Sequence, residues 1–298
     1  MTSTPEQRRG VIYAVIAHFF WGAMAVYFGL IRYINPMEIA VHRALWSVPI
    51  GAAVAWKLGA LPAVWKLLHN PRHVLMLFCT SLLVVFNWTL YVWCITTGHT
   101  LDASLGYFIN PLMNVAVGFV FLGERFTRPQ MWAIWLAVFA VAVVTFGTGV
   151  FPYLGLSLAV TFCLYGYMRK TMAVGPVEAF VVEVALALLP LLLADYYLSS
   201  KGELHFGHDM FSTLMLMGCG VFTASALLLY SASLKLIRYS TAGLLQYLSP
   251  TFVFLTAVFW LGEKLDPWKL AGFVIIWLAL AIYTAATLQE DRALKAAA

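Results

Sequence analysis

Ionisable side chains are rare in the interior of this sequence, so each one is informative. Arg43 and Glu183 stand inside long apolar runs, as do His18 and His42, with Glu38 four residues ahead of His42. A charge at the centre of a bilayer costs about 2.5–3.5 kcal/mol on insertion scales. A residue kept at that cost either binds something or is paired. The planar guanidinium of Arg43 suits an anionic group. Glu183 would hold a cationic group or carry a coupling proton. The structural alternative is an ion pair, Arg43 with Glu38 or Glu183, that pins two helices together. His42 could titrate near neutral pH, or could be a hydrogen-bonded packing group. The same choice applies to His18, beside Phe19, Phe20 and Trp21.

Uncharged groups add to this set. Asn87-Trp88, Asn110 with Asn114, and Gln246 offer side-chain amides inside apolar runs. Asn87 could line a cavity or bond a neighbouring helix. Trp21, Tyr107, Phe108, Tyr165 and Tyr247 could stack on an aromatic or cationic molecule, although packing is the default for any one of them. Pro111 and Pro250 each remove a backbone donor from an apolar run, which predicts helix breaks there. No H-E-x-x-H, G-x-S-x-G or Walker A string is present, nor a pair of aspartates deep in an apolar run. Neither an intramembrane enzyme nor ATP hydrolysis within the chain is therefore expected.

These groups are set in a very apolar chain. Its 298 residues are 62% hydrophobic and only 10% charged, against roughly 25% charged in ordinary soluble domains. That excludes a soluble enzyme, a disordered chain and a disulfide scaffold. The apolar runs are continuous, unlike the alternation of an outer-membrane barrel. Cys79, Cys94, Cys163 and Cys219 all lie within such runs without a C-x-x-C pair, and read as small buried hydrophobes. No metal and no cofactor is expected. The first run, 11–30, is long enough to span and lacks an A-x-A site, which argues against a cleaved signal peptide.

About 20 apolar residues cross the hydrocarbon core as a helix. Ten such segments are read: 10–30, 37–56, 74–96, 101–122, 130–148, 152–169, 178–197, 212–234, 241–261 and 267–288. With the N-terminus in the cytoplasm, thirteen Lys and Arg fall on inner segments and four on outer ones, leaving Arg43 within a span. This bias predicts cytoplasmic termini. It also assigns the net charge of +5 to topology and to contact with an anionic leaflet, not to nucleic acid.

The sequence repeats itself. Ser104-Leu105-Gly106-Tyr107-Phe108-Ile109-Asn110-Pro111 leads to Gly123-Glu124-Arg125. Gly243-Leu244-Leu245-Gln246-Tyr247-Leu248-Ser249-Pro250 leads to Gly262-Glu263-Lys264, at a constant offset of 139 residues. Trp21-Gly22 echoes Tyr165-Gly166, and Pro49 and Pro190 hold similar places. Five spans per repeat is an odd number, so the two copies must run in opposite senses across the bilayer. The expected fold is thus an all-α polytopic membrane protein of ten transmembrane helices, as two inverted five-helix repeats, 1–148 and 149–298. In inverted-repeat transporters the binding site lies near the midplane, at the repeat interface. Gly123 and Gly262 read as helix stops, with the flanking charges at the membrane interface. Gly22, Gly29, Gly106 and Gly118 read as points of close helix approach.

The strings Phe20-Trp21-Gly22, Glu38-Ile39, His42-Arg43, Trp46-Ser47, Asn87-Trp88, Ala103 to Pro111 and Phe121 to Arg125 resemble the RarD proteins of the EamA group, in the drug/metabolite transporter superfamily. Asp102 stands where Glu is expected. The resemblance covers nearly the whole chain. It implies ten helices, two EamA repeats and a bacterial inner-membrane transporter of a small metabolite. Alternating access about one midplane site is the expected mechanism, driven by a proton or other ion gradient or running as facilitated diffusion. The rival readings are a non-transporting sensor or assembly component and, less favoured, an intramembrane enzyme. A buried cation and a buried carboxylate at opposite ends of a cavity would suit a zwitterion; an aromatic lining would suit an amphipathic cation or drug.

Overall fold

The computed structural model describes residues 5–122, 127–237 and 245–297. The strings at 123–126 and 238–244, with Glu124 and Gly243, lie outside the described residues, as does the side-chain environment at position 118. Every regular element among the described residues is helical: α1 (Pro5–Leu30), α2 (Pro36–Lys57), α3 (Leu61–Leu68), α4 (Pro71–Thr96), α5 (Thr100–Leu122), α6 (Arg128–Thr148), α7 (Tyr153–Thr171), α8 (Pro176–Ser200), α9 (Met210–Leu236), α10 (Leu248–Leu255), a π-turn (Thr256–Trp260) and α11 (Pro267–Ala297).

Seven of these are long and apolar enough to cross a membrane: α1, α2, α4, α6, α8, α9 and α11. Segments 101–122 and 152–169 are α5 and α7, and segment 241–261 contains α10 and the π-turn. The connection 57–73 is not a plain loop but holds α3. That helix presses Val64 and Leu67 onto Leu77, Met172 and Ala179 and leaves Trp65 and Leu68 exposed. The outer surface is apolar over much of its area, with Phe146 86% and Leu193 72% exposed, as suits lipid contact. Trp56, Trp65, Trp132 and Trp268 are exposed at or near helix ends, where interface anchors belong. Cys79 is also exposed, unlike the other three cysteines; its position in an apolar run did not say which helix face it occupied.

The helix starts follow from local chemistry. Asn35 and Asn70 precede Pro36 and Pro71, and each side-chain oxygen accepts from a first-turn N–H. Proline at the first helical position loses nothing, since that N–H has no intrahelical partner. Asp209 caps α9 through the Ser212 N–H at 2.8 Å, and its bonds to Ser212 hold its carboxyl below the ordinary aspartate value. Pro111 does not break α5, which runs unbroken from Thr100 to Leu122. Pro250 sits in the first turn of α10, after a turn at Gln246-Tyr247. The interruption therefore precedes the proline, where its missing donor costs little.

The helices pack in a regular scheme. α1 lies on α9 and α10, α2 on α8 and α9, α4 on α7 and α8, α5 on α7 and α10, and α6 on α11. One core cluster joins Phe28, Ile39, Tyr91, Leu158 and Leu216; another joins Leu105, Phe108, Ala137 and Phe273. Gly106 sets the spacing of α5 and α7, because a Cβ there would lie 2.3 Å from the Gly155 carbonyl oxygen. A backbone atom cannot give way as a side-chain end can. Gly106→Ala should thus lower the unfolding temperature in detergent by several degrees, although alanine raises intrinsic helix propensity by up to about 1 kcal/mol. An unchanged or higher temperature would show that these helices are not held in contact.

Candidate functional site

A cavity with an empty volume of about 780 Å³, counted to its mouth, opens between α1, α2, α4, α5, α7, α9 and the chain around α10. Its wall includes His18, Trp21, Arg43, Asn87, Trp88, Tyr107 and Gln246 from the sequence-derived set. His42, Glu183, Asn110 and Tyr247 do not line it.

Arg43 is 2% exposed. Its Nε donates to Thr223 Oγ1 at 3.2 Å, and Nη2 lies 3.9 Å from Met24 Sδ. Trp88 and Phe28 flank the guanidinium, with ring centroids 4.7 and 5.3 Å from Cζ. Nη1 has no hydrogen-bond partner among the described residues. Neither carboxylate offered by the ion-pair alternative is in place. Glu38 is fully buried and turned to the α8–α9 connection, where Oε1 accepts from the His205 and Phe206 N–H groups at 2.7 and 2.9 Å and Oε2 meets His205 Nδ1 at 3.2 Å. Faces attract a cation, but they do not neutralise it.

Glu183 has the opposite status. Its oxygens accept from Thr80 Oγ1 at 2.6 Å and Tyr165 OH at 3.2 Å, and Arg169 Nε is 3.8 Å away. It borders a small recess that shares Val84, Trp88, Tyr165 and Leu227 with the main cavity. Arg43 and Glu183 hold corresponding places in α2 and α8, seven residues past Pro36 and Pro176. Their surroundings correspond as well. Met24 and Phe28 of α1 flank Arg43; Tyr165 and Arg169, four apart in the same way on α7, flank Glu183. Thr223 of α9 answers Thr80 of α4. Tyr165 is thus matched by Met24, where the sequence echo pointed to Trp21. Where α7 carries the counter-charge Arg169, α1 carries Phe28.

The amides act as fasteners. Asn87 Nδ2 donates to Leu158 O and Thr161 Oγ1 at 3.0 and 2.9 Å, and its Oδ1 accepts from Tyr107 OH at 3.2 Å. Asn110 donates to Ala159 O at 3.0 Å and accepts from Asn114 and Gln246. Tyr247 packs with the Phe273 cluster, away from the cavity. His42 accepts from Trp46 Nε1 at 3.1 Å and stacks on Phe206, so it belongs to the Glu38 contact. His18, Trp21 and Tyr230 form an aromatic group with centroids 5.2–5.5 Å apart.

Two residues escaped the sequence. Tyr91 lines the cavity, and its hydroxyl is buried without a partner among the described residues. Nothing distinguishes it in sequence from thirteen other tyrosines. Glu263 also caps a helix: its two oxygens accept from the Thr100 and Leu101 N–H groups at 2.7 and 2.9 Å. The π-turn and Gly262, at φ +67°, deliver it to the positive end of α5. The Lys269–Asp102 pair at 2.8 Å lies beside this cap.

Asn87 joins α4, α5 and α7 through three bonds, and an interhelical bond in a membrane protein averages about 0.6 kcal/mol. Asn87→Ala should therefore lower unfolding stability in micelles by about 2 kcal/mol. A loss below a few tenths would show that these bonds are not made.

The EamA-like transporter family matches this chain twice, over residues 8–146 and 152–285. The chain is 40% identical to Protein RarD of Salmonella typhi over 291 residues, covering 96% of this chain and 98% of that protein. It is 36% identical to Protein RarD of Escherichia coli strain K12 over 288 residues, 96% and 97% of the two chains. An uncharacterized transporter of Pseudomonas aeruginosa is 40% identical over 289 residues, 95% of each. A protein crystal structure aligns with TM-score 0.64 over 94% of this chain and 98% of its own, at 16% identity; that likeness concerns the fold alone. The chain belongs to the EamA-like transporter family and, within it, to the RarD proteins of the drug/metabolite transporter superfamily.

Proposed function

We propose that the chain is a secondary transporter that carries a small organic solute across the bacterial inner membrane by alternating access. In this reading ten spans form two inverted repeats, 1–148 and 149–298, with both termini in the cytoplasm. The double family match supports the division. So does the helix packing, since exchanging α1 with α7, α2 with α8, α4 with α9, α5 with α10 and α6 with α11 maps the principal helix contacts onto one another. Two halves related in that way can rock about a shared cavity.

The observation that carries the reading is the unequal pair at Arg43 and Glu183. One corresponding place pairs a carboxylate with Arg169; the other holds a buried cation with no carboxylate among its contacts, on the wall of a cavity. Arg43 is the group that holds the solute. Glu183, with Thr80, Tyr165 and Arg169, closes the neighbouring recess and is the group placed to exchange a coupling proton when that contact opens. The pairing of Glu183 with Arg169 removes the carboxylate end expected for a zwitterion site.

An unsatisfied buried charge is retained at a cost in stability. Arg43→Met keeps the bulk and removes the charge. It should raise the unfolding temperature by a few degrees and abolish solute uptake into vesicles. Uptake preserved in folded Arg43→Met would remove Arg43, and with it this cavity, from the transport cycle.

A further inference from the structure

Among the described residues, three buried polar atoms without partners belong to residues of the same cavity wall: Arg43 Nη1, Tyr91 OH and His18 Nε2. Their hydrogen-bonding characters differ. Arg43 Nη1 can only donate. The Tyr91 hydroxyl can donate as well. The character of His18 follows from Ser249. The Ser249 hydroxyl lies 3.0 Å from the His18 carbonyl and donates to it, which uses its one hydrogen. His18 Nδ1, 3.1 Å from the same oxygen, is then the donor of that contact. In the neutral ring this leaves Nε2 as a lone-pair acceptor.

Lining residues thus hold a cation, a hydroxyl donor and an acceptor whose polar atoms are enclosed and unpaired among the described residues. The same wall carries Trp21, Trp88, Tyr107, Phe162, Tyr165 and Tyr230, whose faces and edges suit a flat π system. None of the described lining residues is an Asp or Glu. The nearest carboxylate, Glu183, is committed to Arg169, Thr80 and Tyr165. The cavity therefore carries a net positive charge and lacks a site for a second one.

We propose that this cavity binds an aromatic monocarboxylate that bears a hydroxyl group, with the carboxylate on Arg43 and Tyr91 and the hydroxyl donating to His18 Nε2. The inference rests on reading the cavity as the solute site, and it names the class of solute. A cationic amphiphile places like charge against Arg43. A zwitterion brings an ammonium that the wall does not neutralise.

Isothermal titration calorimetry of the purified protein in detergent at neutral pH tests it with four small probes: 4-hydroxybenzoate, benzoate, benzylamine and phenylalanine. The expected order is 4-hydroxybenzoate tighter than benzoate by about tenfold, the size of one hydrogen bond to an otherwise unpaired acceptor, with no detectable benzylamine or phenylalanine binding. His18→Phe should erase the tenfold difference between the two acids. Tyr91→Phe should weaken both acids alike. The comparison among probes uses the unaltered protein, so a variant that fails to fold does not blunt it. Equal binding of the two acids, binding of neither, or phenylalanine or benzylamine bound as tightly as 4-hydroxybenzoate would overturn the assignment. Binding in the expected order without flux in vesicles would instead contradict the transport reading and leave the ligand class standing.

Discussion

An apolar medium does not tolerate an unneutralised guanidinium, and much of what this structure implies follows from that constraint acting on Arg43. Water cannot solvate it from the lipid side, and the nearby carboxylates are directed elsewhere. Glu38 is consumed by the backbone of the α8–α9 connection and Glu183 by its own three partners. The aromatic rings on either side lower the cost of the charge without cancelling it. In the proposed reading, a solute that enters the cavity completes it.

The other buried polar groups show how unusual this is. The Ser47 hydroxyl lies 2.6 Å from the Arg43 carbonyl and 3.2 Å from the Gly220 carbonyl of α9, Ser104 donates to the Pro250 carbonyl, and Asn87 and Asn110 donate to carbonyls of α7. Glu263 closes the amide end of α5. Each joins helices through atoms that hydrocarbon would leave unsatisfied.

Much of the architecture was legible in the sequence because its signals are coarse. An apolar run of span length is visible without knowing its neighbours, and so is a repeat of Pro and Gly-Glu at constant spacing. Arg43 was legible for the same reason: a charge in such a run stands out. Faces were not. Asn110 and Tyr247 sit in the repeated strings, yet one fastens α5 to α7 and the other packs against Phe273. Periodicity places a residue around a helix but does not say which neighbour lies on that side. Glu263 was missed because its partners lie more than 160 residues away. Pro111 suggested a break by its chemistry, but the surrounding turns hold the helix. The correspondence of Phe28 with Arg169 emerged only once the contacts of Arg43 and Glu183 could be compared.

That correspondence supplies the most direct measurement. Phe28→Glu would give Arg43 the internal counter-charge that Arg169 gives Glu183, and Phe28→Gln is its uncharged control. Thermal unfolding of both variants in detergent, with and without benzoate, reads the outcome. The account predicts that Phe28→Glu is the more stable of the two and is indifferent to benzoate, while benzoate stabilises Phe28→Gln. Equal unfolding temperatures and equal responses to benzoate would contradict the view that Arg43 awaits an anion from outside the protein.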